Sequence, residues 1–543
     1  MATVPVIPFA CANDAPDTSP TCKGKGQLAC GNCHLVVYCG KECQKVHWSA
    51  HKTVCRSPIG KSNWRPDWDR ESRYPAWLTW RGSGRTTTHD PYAGRVFLWG
   101  NFPAVDVLRL AENEGDAYGE DIQLLFAASG DLRNVVKTIS DLPATTLQAI
   151  QITINDREFA VVARNVILLL FALDTLSVAP SDEEKSRFPV AEALIHLWYS
   201  AFVPANMLAM MRNAVRPFIS DVCTKIANKS TAACLGKTWK FASGRSLRLV
   251  LSKDQWLRVD RMLCADDLTL ERAKDDFKEP TPSSRIAKGR FREDGLLLPV
   301  RAFPLLFQKS DTWLIDDKAD PLDGWPVWEV LRHPSSAKED RYGKLYAYLR
   351  DIFKTFLDRV ATLDISFEMY YLDASNISDG AHLGVGETLA CLSPLLQPPQ
   401  RNTHATLITL FVNAVPEMFN KTSAELNRIH TEAAMKYLPI ADDLKPMMTL
   451  YDAENYRLFD AVHFFFDLDK LFGLYRRNRD FDGLSTKLGV SEKECNTIVE
   501  KWPTRLKLRH GQDGAQEEFM VLLGSNFSGT ERYVEWKRTG AKN

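Results

Sequence analysis

Seven of the twelve cysteines of this 543-residue chain, Cys11, Cys22, Cys30, Cys33, Cys39, Cys43 and Cys55, lie within its first 55 residues. A segment that short cannot bury enough apolar surface to fold alone, and this one has few large apolar side chains. In a reducing compartment the substitute for a core is metal, because thiolates deprotonated by Zn²⁺ tie a chain together where disulfides do not persist. The spacing agrees. Cys30-x2-Cys33 is a zinc knuckle, Cys39-x3-Cys43 puts two sulfurs on one side of a helical turn, and His51-x3-Cys55 repeats that helical spacing. With Cys11 and Cys22 the set reaches eight ligands, enough for two tetrahedral sites. The formal charge of the segment also cancels once two dications sit among seven thiolates. Without metal the segment has no reason to fold.

The run CGNCHLVVYCGKECQKVHWSAHKTVC, from Cys30 to Cys55, resembles the MYND zinc finger, whose hallmark is a YC, CQ, W, HK and C series in this order. The resemblance implies a cross-brace: Cys11, Cys22, Cys39 and Cys43 on one zinc, Cys30, Cys33, His51 and Cys55 on the other. Two features depart from the pattern. The first pair is Cys11-x10-Cys22 instead of a tight knuckle, so Cys11 is the ligand that the structure must place, and Gly40 stands where Ser is usual. His34 follows a ligand cysteine and His47 precedes His51 by one turn; neither is expected to ligate. Trp48, on the helix that carries Cys43 and His51, has two readings: a cover for the small core, or the border of a groove for proline-rich peptides of a partner protein, as MYND fingers use. Such a finger is a docking module, since every zinc valence is filled by protein and none is left for water.

Residues 57–95 read as a linker. Pro58, Pro66, Pro75 and Pro91 break helices, and Trp64, Trp68, Trp77 and Trp80 recur among basic residues. Basic and aromatic residues together can stack on single-stranded nucleic acid, but Asp67, Asp69, Glu71 and Asp90 interrupt the positive charge. The expectation is that these tryptophans pin the linker to a neighbouring domain. With 68 basic and 68 acidic residues no global field draws the chain to nucleic acid, and no bulk nucleic-acid binding is expected.

The remainder, of ordinary globular composition, alternates strand and helix. Asp121 to Ala128 and Leu147 to Ile154 read as strands, with helices at Leu132 to Leu142 and Phe159 to Leu173, a βαβα unit that implies a parallel sheet with fully buried strands. The style returns with strands at Ile365 to Asp373 and Ala405 to Val412 around a helix at Gly386 to Leu396. His463-FFFDLD and Met520-VLLGS read as two more strands at an antiparallel edge. Residues 181–358, rich in Leu, Met, Trp and Arg, read as a helical insertion with a polar segment at 279–294. The expected architecture is therefore α/β: a two-zinc finger at 1–56, a linker at 57–95, a Rossmann-like, mostly parallel sheet at 96–180 and 359–543, and a large helical insertion at 181–358.

Three runs, FLWGNFPAVDVL (Phe97 to Leu108), LLFAASGDLRNVVKTI (Leu124 to Ile139) and NDREFAVVARNVILLL (Asn155 to Leu170), resemble DUF4470, a domain that follows MYND fingers in many fungal proteins; they are more distantly similar to the N-terminal region of axonemal dynein assembly factors.

Ser129-Gly130-Asp131 ends a strand and opens a helix, where backbone N–H groups can meet a polar ligand, and Asp156 ends the next strand, where nucleoside-binding sheets place an acid for ribose. These four residues are the candidate cofactor site. Asp373-Ala-Ser-Asn376 and the following helix resemble the second half of class I S-adenosylmethionine-dependent methyltransferases, which makes such an enzyme the alternative to a scaffold. Against it, the loop has one glycine where that family has two or three, with Ala127 and Ala128 filling the space. The chain has no Walker loop, HExxH, GxSxG or SET-type NHSCxPN segment, and His196, His404 and His463 read as structural. The longest apolar run, Val166 to Leu173, is far short of the ~20 residues a membrane span needs. The start MATVPVIPFACAND carries neither a basic flank nor a long apolar core, so an intracellular protein, cytoplasmic or nuclear and off the membrane, is expected.

Overall fold

The computed structural model describes residues 9–13, 22–73, 99–100, 102–115, 118–176, 183–200, 202–203, 205–264, 286–287, 289, 297, 308–309, 320–371, 378–380, 383–419, 424–438, 452–525 and 529–539. Trp77 and Trp80, Phe97, most of the polar segment 279–294 and the run Asp373 to Asn376 lie outside them.

The finger begins with a short antiparallel hairpin, β1 (Leu28–Ala29) and β2 (Val37–Tyr38), and continues into helix α1 (Lys41–Cys55). A short turn of helix in the linker, α2 (Asp67–Arg70), buries Trp68 at 1% exposure, while Trp64 is half-buried. Asp69 accepts the Ala453 N–H at 2.8 Å, so the linker is fastened to the C-terminal part of the chain.

The body holds a five-stranded sheet. Its strands are β3 (Ile122–Phe126), β4 (Ile150–Asp156), β5 (Cys234–Lys240), β6 (Ser246–Ser252) and β7 (Ile365–Tyr371), in the order β3-β4-β7-β6-β5. The first four in that order run parallel and β5 closes the edge antiparallel to β6. Register places Ile122 beside Ile150, Ile150 beside Ile365, and Leu247 beside Phe367. Helix α3 (Arg133–Asp141) follows β3, and α4 (Phe159–Thr175), with fourteen of its seventeen residues buried, follows β4 and packs on β4 and β7. Around them lie α5 (Glu183–Tyr199), α6 (Ala205–Ile226), α7 (Lys253–Cys264) and α8 (Arg341–Thr362).

Two expectations change here. The segment 181–358 is not only helical: β5 and β6 come from it, and β6 slots beside β7 to extend the sheet. The alternating Ser246-LRLVL-Ser252 run buries Leu247, Leu249 and Leu251 on one face, a two-residue period masked by the helix-forming residues around it. The strands are also not buried on both faces. Ile150, Ile152 and Ile154 are covered, whereas Gln123, Leu125 and Gln151 are exposed and Thr153, Ser366, Glu368 and Tyr370 are half-buried. One face of this sheet carries the core, as in a two-layer arrangement.

The expected helix at Gly386 to Leu396 is α9 (Val385–Leu392) with a following 3₁₀ turn. The expected strand near Ala405 exists as β8 (Leu407–Phe411), but in a separate antiparallel sheet of order β8-β10-β9, with β9 (Val490–Glu492) and β10 (Arg532–Arg538). The two apolar runs read as strands are not strands. His463–Phe465 is a 3₁₀ turn between α10 (Ala453–Val462) and α11 (Leu468–Asn478), whose start Asp467 caps by accepting the Lys470 N–H at 3.0 Å. Met520 lies inside α12 (Ala515–Leu523), which turns Phe519 and Leu522 inward. Among the described residues no helix is long and apolar enough to cross a membrane.

Candidate metal centre

Backbone hydrogen bonds build the finger from its knuckle outward. Cys30 N–H reaches the Val36 carbonyl (2.9 Å) and His34 N–H the Cys30 carbonyl (3.0 Å), which closes the Cys30–Cys33 turn and puts His34 in the left-handed region at φ 52°. The N-terminal segment joins through a ladder: Cys11 N–H to Gly24 O (2.9 Å), Cys22 N–H to Asn13 O (2.8 Å) and Ala12 N–H to Val37 O (2.8 Å). That ladder brings Cys11 beside Cys22 despite the ten intervening residues. Gly26 lies directly beneath Val37, where a methyl group would collide with the valine side chain. On α1, Cys43, His47, His51 and Cys55 recur every fourth residue along one face.

The eight predicted ligands gather into two groups, Cys11, Cys22, Cys39 and Cys43, and Cys30, Cys33, His51 and Cys55, with the ligand atoms of each within 4.8 Å of one another. The separations are ones a metal ion could bridge. Sγ–Sγ distances are 3.5 Å for Cys22–Cys39, 3.3 Å for Cys39–Cys43 and 3.8 Å for Cys30–Cys55, and Cys33 Sγ lies 3.5 Å from His51 Nε2. Four ligands around zinc at tetrahedral angles stand about 3.8 Å apart for two sulfurs and about 3.6 Å for sulfur and nitrogen. A disulfide needs about 2.05 Å, and none of the seven cysteines is in one. The donor set, soft sulfur with one imidazole, suits zinc.

The electrostatics point the same way. Burial pushes the Cys33 thiol up to about 12, and hydrogen bonding with the Cys43 and Cys22 sulfurs lifts Cys39 to about 12 as well. Sulfurs this crowded become thiolates together only around a cation. N–H groups already aim at several of them: Gly24 N–H at Cys22 Sγ (3.2 Å), Cys39 N–H at Cys11 Sγ (3.4 Å) and the Asn32 amide at Cys55 Sγ (3.2 Å). Neither His34 nor His47 belongs to a group. His47 is fully buried, its Nδ1 2.9 Å from Tyr38 Oη, and its ring stacks on His51 at 5.7 Å, so it braces a ligand. Trp48 is half-buried, edge-on to His51 at 5.9 Å, with the Arg56 guanidinium 5.3 Å over its ring.

The two groups differ in exposure. Cys30, Cys33, His51 and Cys55 are 2–8% exposed, whereas Cys39 is exposed and Cys22 and Cys43 half-buried, Cys11 alone of that group being covered. The knuckle that carries the inner group is seated on the body: Leu35 and Val36 are buried in the main core, and the His34 carbonyl accepts the Glu339 N–H at 3.2 Å, just before α8.

The four candidate cofactor residues come together at the ends of β3 and β4, but their polar groups are turned on one another. Ala128 N–H donates to Asn155 Oδ1 (3.0 Å), Ser129 N–H to the Asn155 carbonyl (2.9 Å) and Gly130 N–H to Asp156 Oδ2 (2.8 Å). Asn165 donates to the Gly130 carbonyl at 2.8 Å. Asp131, 2% exposed, accepts Gly100 N–H at 2.8 Å and Arg133 Nη1 at 2.6 Å. Beneath them burial draws the wholly buried Arg164 down to about 10, and the charges of Asp131 and Asp156 oppose that shift. Ala128 adopts φ 52° and Gly130 φ 60°, which lets the loop fold back on β4. Gly100 packs flat against the Arg133 guanidinium, whose Nε donates to the Phe102 carbonyl at 2.8 Å. Sequence reasoning missed this Gly100–Asp131–Arg133 brace; two of its members flank Leu132 in the GDLR run, but the third is 31 residues before Asp131.

Comparison with known families finds two matches: a MYND finger on residues 19–55 and DUF4470, a domain of unknown function, on residues 98–203. The chain thus carries a MYND finger, a protein-interaction domain, followed by a DUF4470 domain. Cys11 lies before the matched stretch and enters the outer group through the ladder described above. No solved structure matches the chain.

Proposed function

We propose that this chain is a zinc-dependent interaction protein. Two zinc ions would be held, one by Cys11, Cys22, Cys39 and Cys43, the other by Cys30, Cys33, His51 and Cys55. The finger would dock a short proline-rich peptide of a partner, and the α/β body would serve as the scaffold that carries it. The supporting observation is the pair of four-ligand groups, the ligand atoms of each within 4.8 Å of one another. Zinc in such a set supplies charge and cross-linking; with all four positions filled by protein it offers no site for a reacting water. The chain's residues do the rest. His47 and Tyr38 orient His51, and Trp48 presents the part of its ring that His51 and Arg56 leave uncovered, beside half-buried Gln44. A half-buried aromatic ring is a suitable anchor for a proline ring.

Metal analysis of the purified chain should return two zincs. Fluorescence polarisation against a panel of proline-rich peptides should then find a binder that Trp48→Ala weakens at least tenfold, and whose binding a strong chelator abolishes. Absence of zinc, or binding indifferent to the chelator, would sink the proposal. The scaffold reading of the body is supported by the loop after β3, whose N–H groups are spent on Asn155 and Asp156. Millimolar S-adenosylmethionine should therefore leave the melting temperature unchanged, and a rise would restore the methyltransferase alternative.

A further inference from the structure

We propose that the outer sulfur cluster, centred on Cys39 with Cys22 and Cys43, is a peroxide-sensitive thiol site that discharges one zinc while the inner site keeps its own. The inference rests on the zinc reading above and goes beyond it, because it assigns the two sites different chemistry. Geometry carries it. Cys39 is exposed, and its sulfur has two neighbours in reach, Cys43 at 3.3 Å and Cys22 at 3.5 Å. A disulfide there needs two of these sulfurs drawn together to roughly 2.05 Å. The inner group differs in access: all four of its residues are buried, and the knuckle beneath them is pinned to Glu339. Oxidation of cysteine follows thiolate character and access, so two zinc-bound thiolate sets in one finger are sorted by access.

The chemistry closes with hydrogen peroxide as oxidant. The Cys39 thiolate attacks one peroxide oxygen; the O–O bond breaks, sulfur is oxidised to the sulfenic acid, and hydroxide leaves. The Cys43 or Cys22 thiolate then attacks that sulfur, the S–O bond breaks with loss of a second hydroxide, and the disulfide forms. Two thiolates, one peroxide and two protons become one disulfide and two waters. Only two of the four sulfurs would then remain to hold zinc, too few to retain it, and those two thiolates would take up protons on its release.

The test uses the full-length chain loaded with zinc, its metal content measured first, treated with stepwise hydrogen peroxide in the presence of a chromogenic chelator. Alkylation and peptide mass mapping follow at each step. About one zinc per chain should be released in a first phase, with a disulfide mapped to Cys39–Cys43 or Cys22–Cys39 and Cys30, Cys33 and Cys55 still reduced. Reductant plus zinc should reverse the change. Joint release of both zincs, oxidation of the inner cysteines first, or peroxide consumption with no metal loss would overturn the inference while leaving the two-zinc reading intact. A chain that starts with no zinc overturns both.

Discussion

Replacing Gly100 with alanine tests whether the loop after β3 is an internal brace. A methyl group there falls inside the guanidinium of Arg133, so that group must leave. It cannot move aside cheaply, because the arginine side chain is only 10% exposed. Its departure breaks the 2.6 Å ion pair with Asp131 and the 2.8 Å bond to Phe102, stranding a carboxylate that is 1% exposed. Separating a buried pair in this way costs roughly 3–5 kcal/mol. Asp131 retains the N–H groups of Gly100 and Arg133, which places the expected loss near the lower end, about 3 kcal/mol. Urea unfolding of the full chain gives the number, with exposed Gly119→Ala, whose new methyl meets nothing, as a control expected within about 0.5 kcal/mol of the parent. The mechanism is specific, so a cycle decides it: in an Arg133→Met background, Gly100→Ala should cost almost nothing more. Full additivity, or a loss below about 1 kcal/mol for Gly100→Ala alone, would refute the brace.

Other expectations follow from the same description. Removing zinc with a strong chelator should lower the body's calorimetric transition by several degrees, since Leu35 and Val36 pack in the body's core; an unmoved transition would show that finger and body fold separately. Burial pushes His196, bonded to Ser200 at 2.9 Å, down to about 4. As pH falls below about 6.5 the unfolded chain takes up that proton and the folded chain does not, so stability is lost between about 6.5 and 4, roughly 3 kcal/mol in all. His196→Gln should flatten the acid limb of stability measured at pH 7, 6 and 5 by about one proton; an unchanged slope would discount the histidine. Asp69→Ala removes the acceptor of the Ala453 N–H and should destabilise by about 1 kcal/mol in urea unfolding, with no change in zinc content.

The two Cys/His groups were legible in the sequence where their spacing is local, in a knuckle and in residues four apart on a helix; Cys11 reaches its group through the backbone ladder to Gly24 and Val37. The strands β3, β4 and β7 were legible as apolar runs between turn signals. What escaped depends on partners distant in the chain. FFFDLD looks like a strand until Asp467 caps α11, and FMVLL reads either way until Glu518 of α12 takes the N–H groups of Lys507 (3.1 Å) and Leu508 (2.7 Å). The C-terminal strand RYVEWKR is charged, yet Glu535 is fully buried because it accepts N–H groups from Thr497, Ile498 and Val499 at 2.8–2.9 Å and pairs with Lys493 at 3.1 Å. No local pattern announces a carboxylate whose partners sit nearly forty residues away.

The bond from Glu339 to the His34 carbonyl fixes more than one loop. A recognition knob on a slack leash searches every bearing and loses orientational freedom at each capture, whereas one bolted at its base has already given up that freedom on folding. Whatever is gripped along α1 would then be held at a set angle and distance from the body, and a second molecule seated on the sheet would meet it in a single mutual geometry.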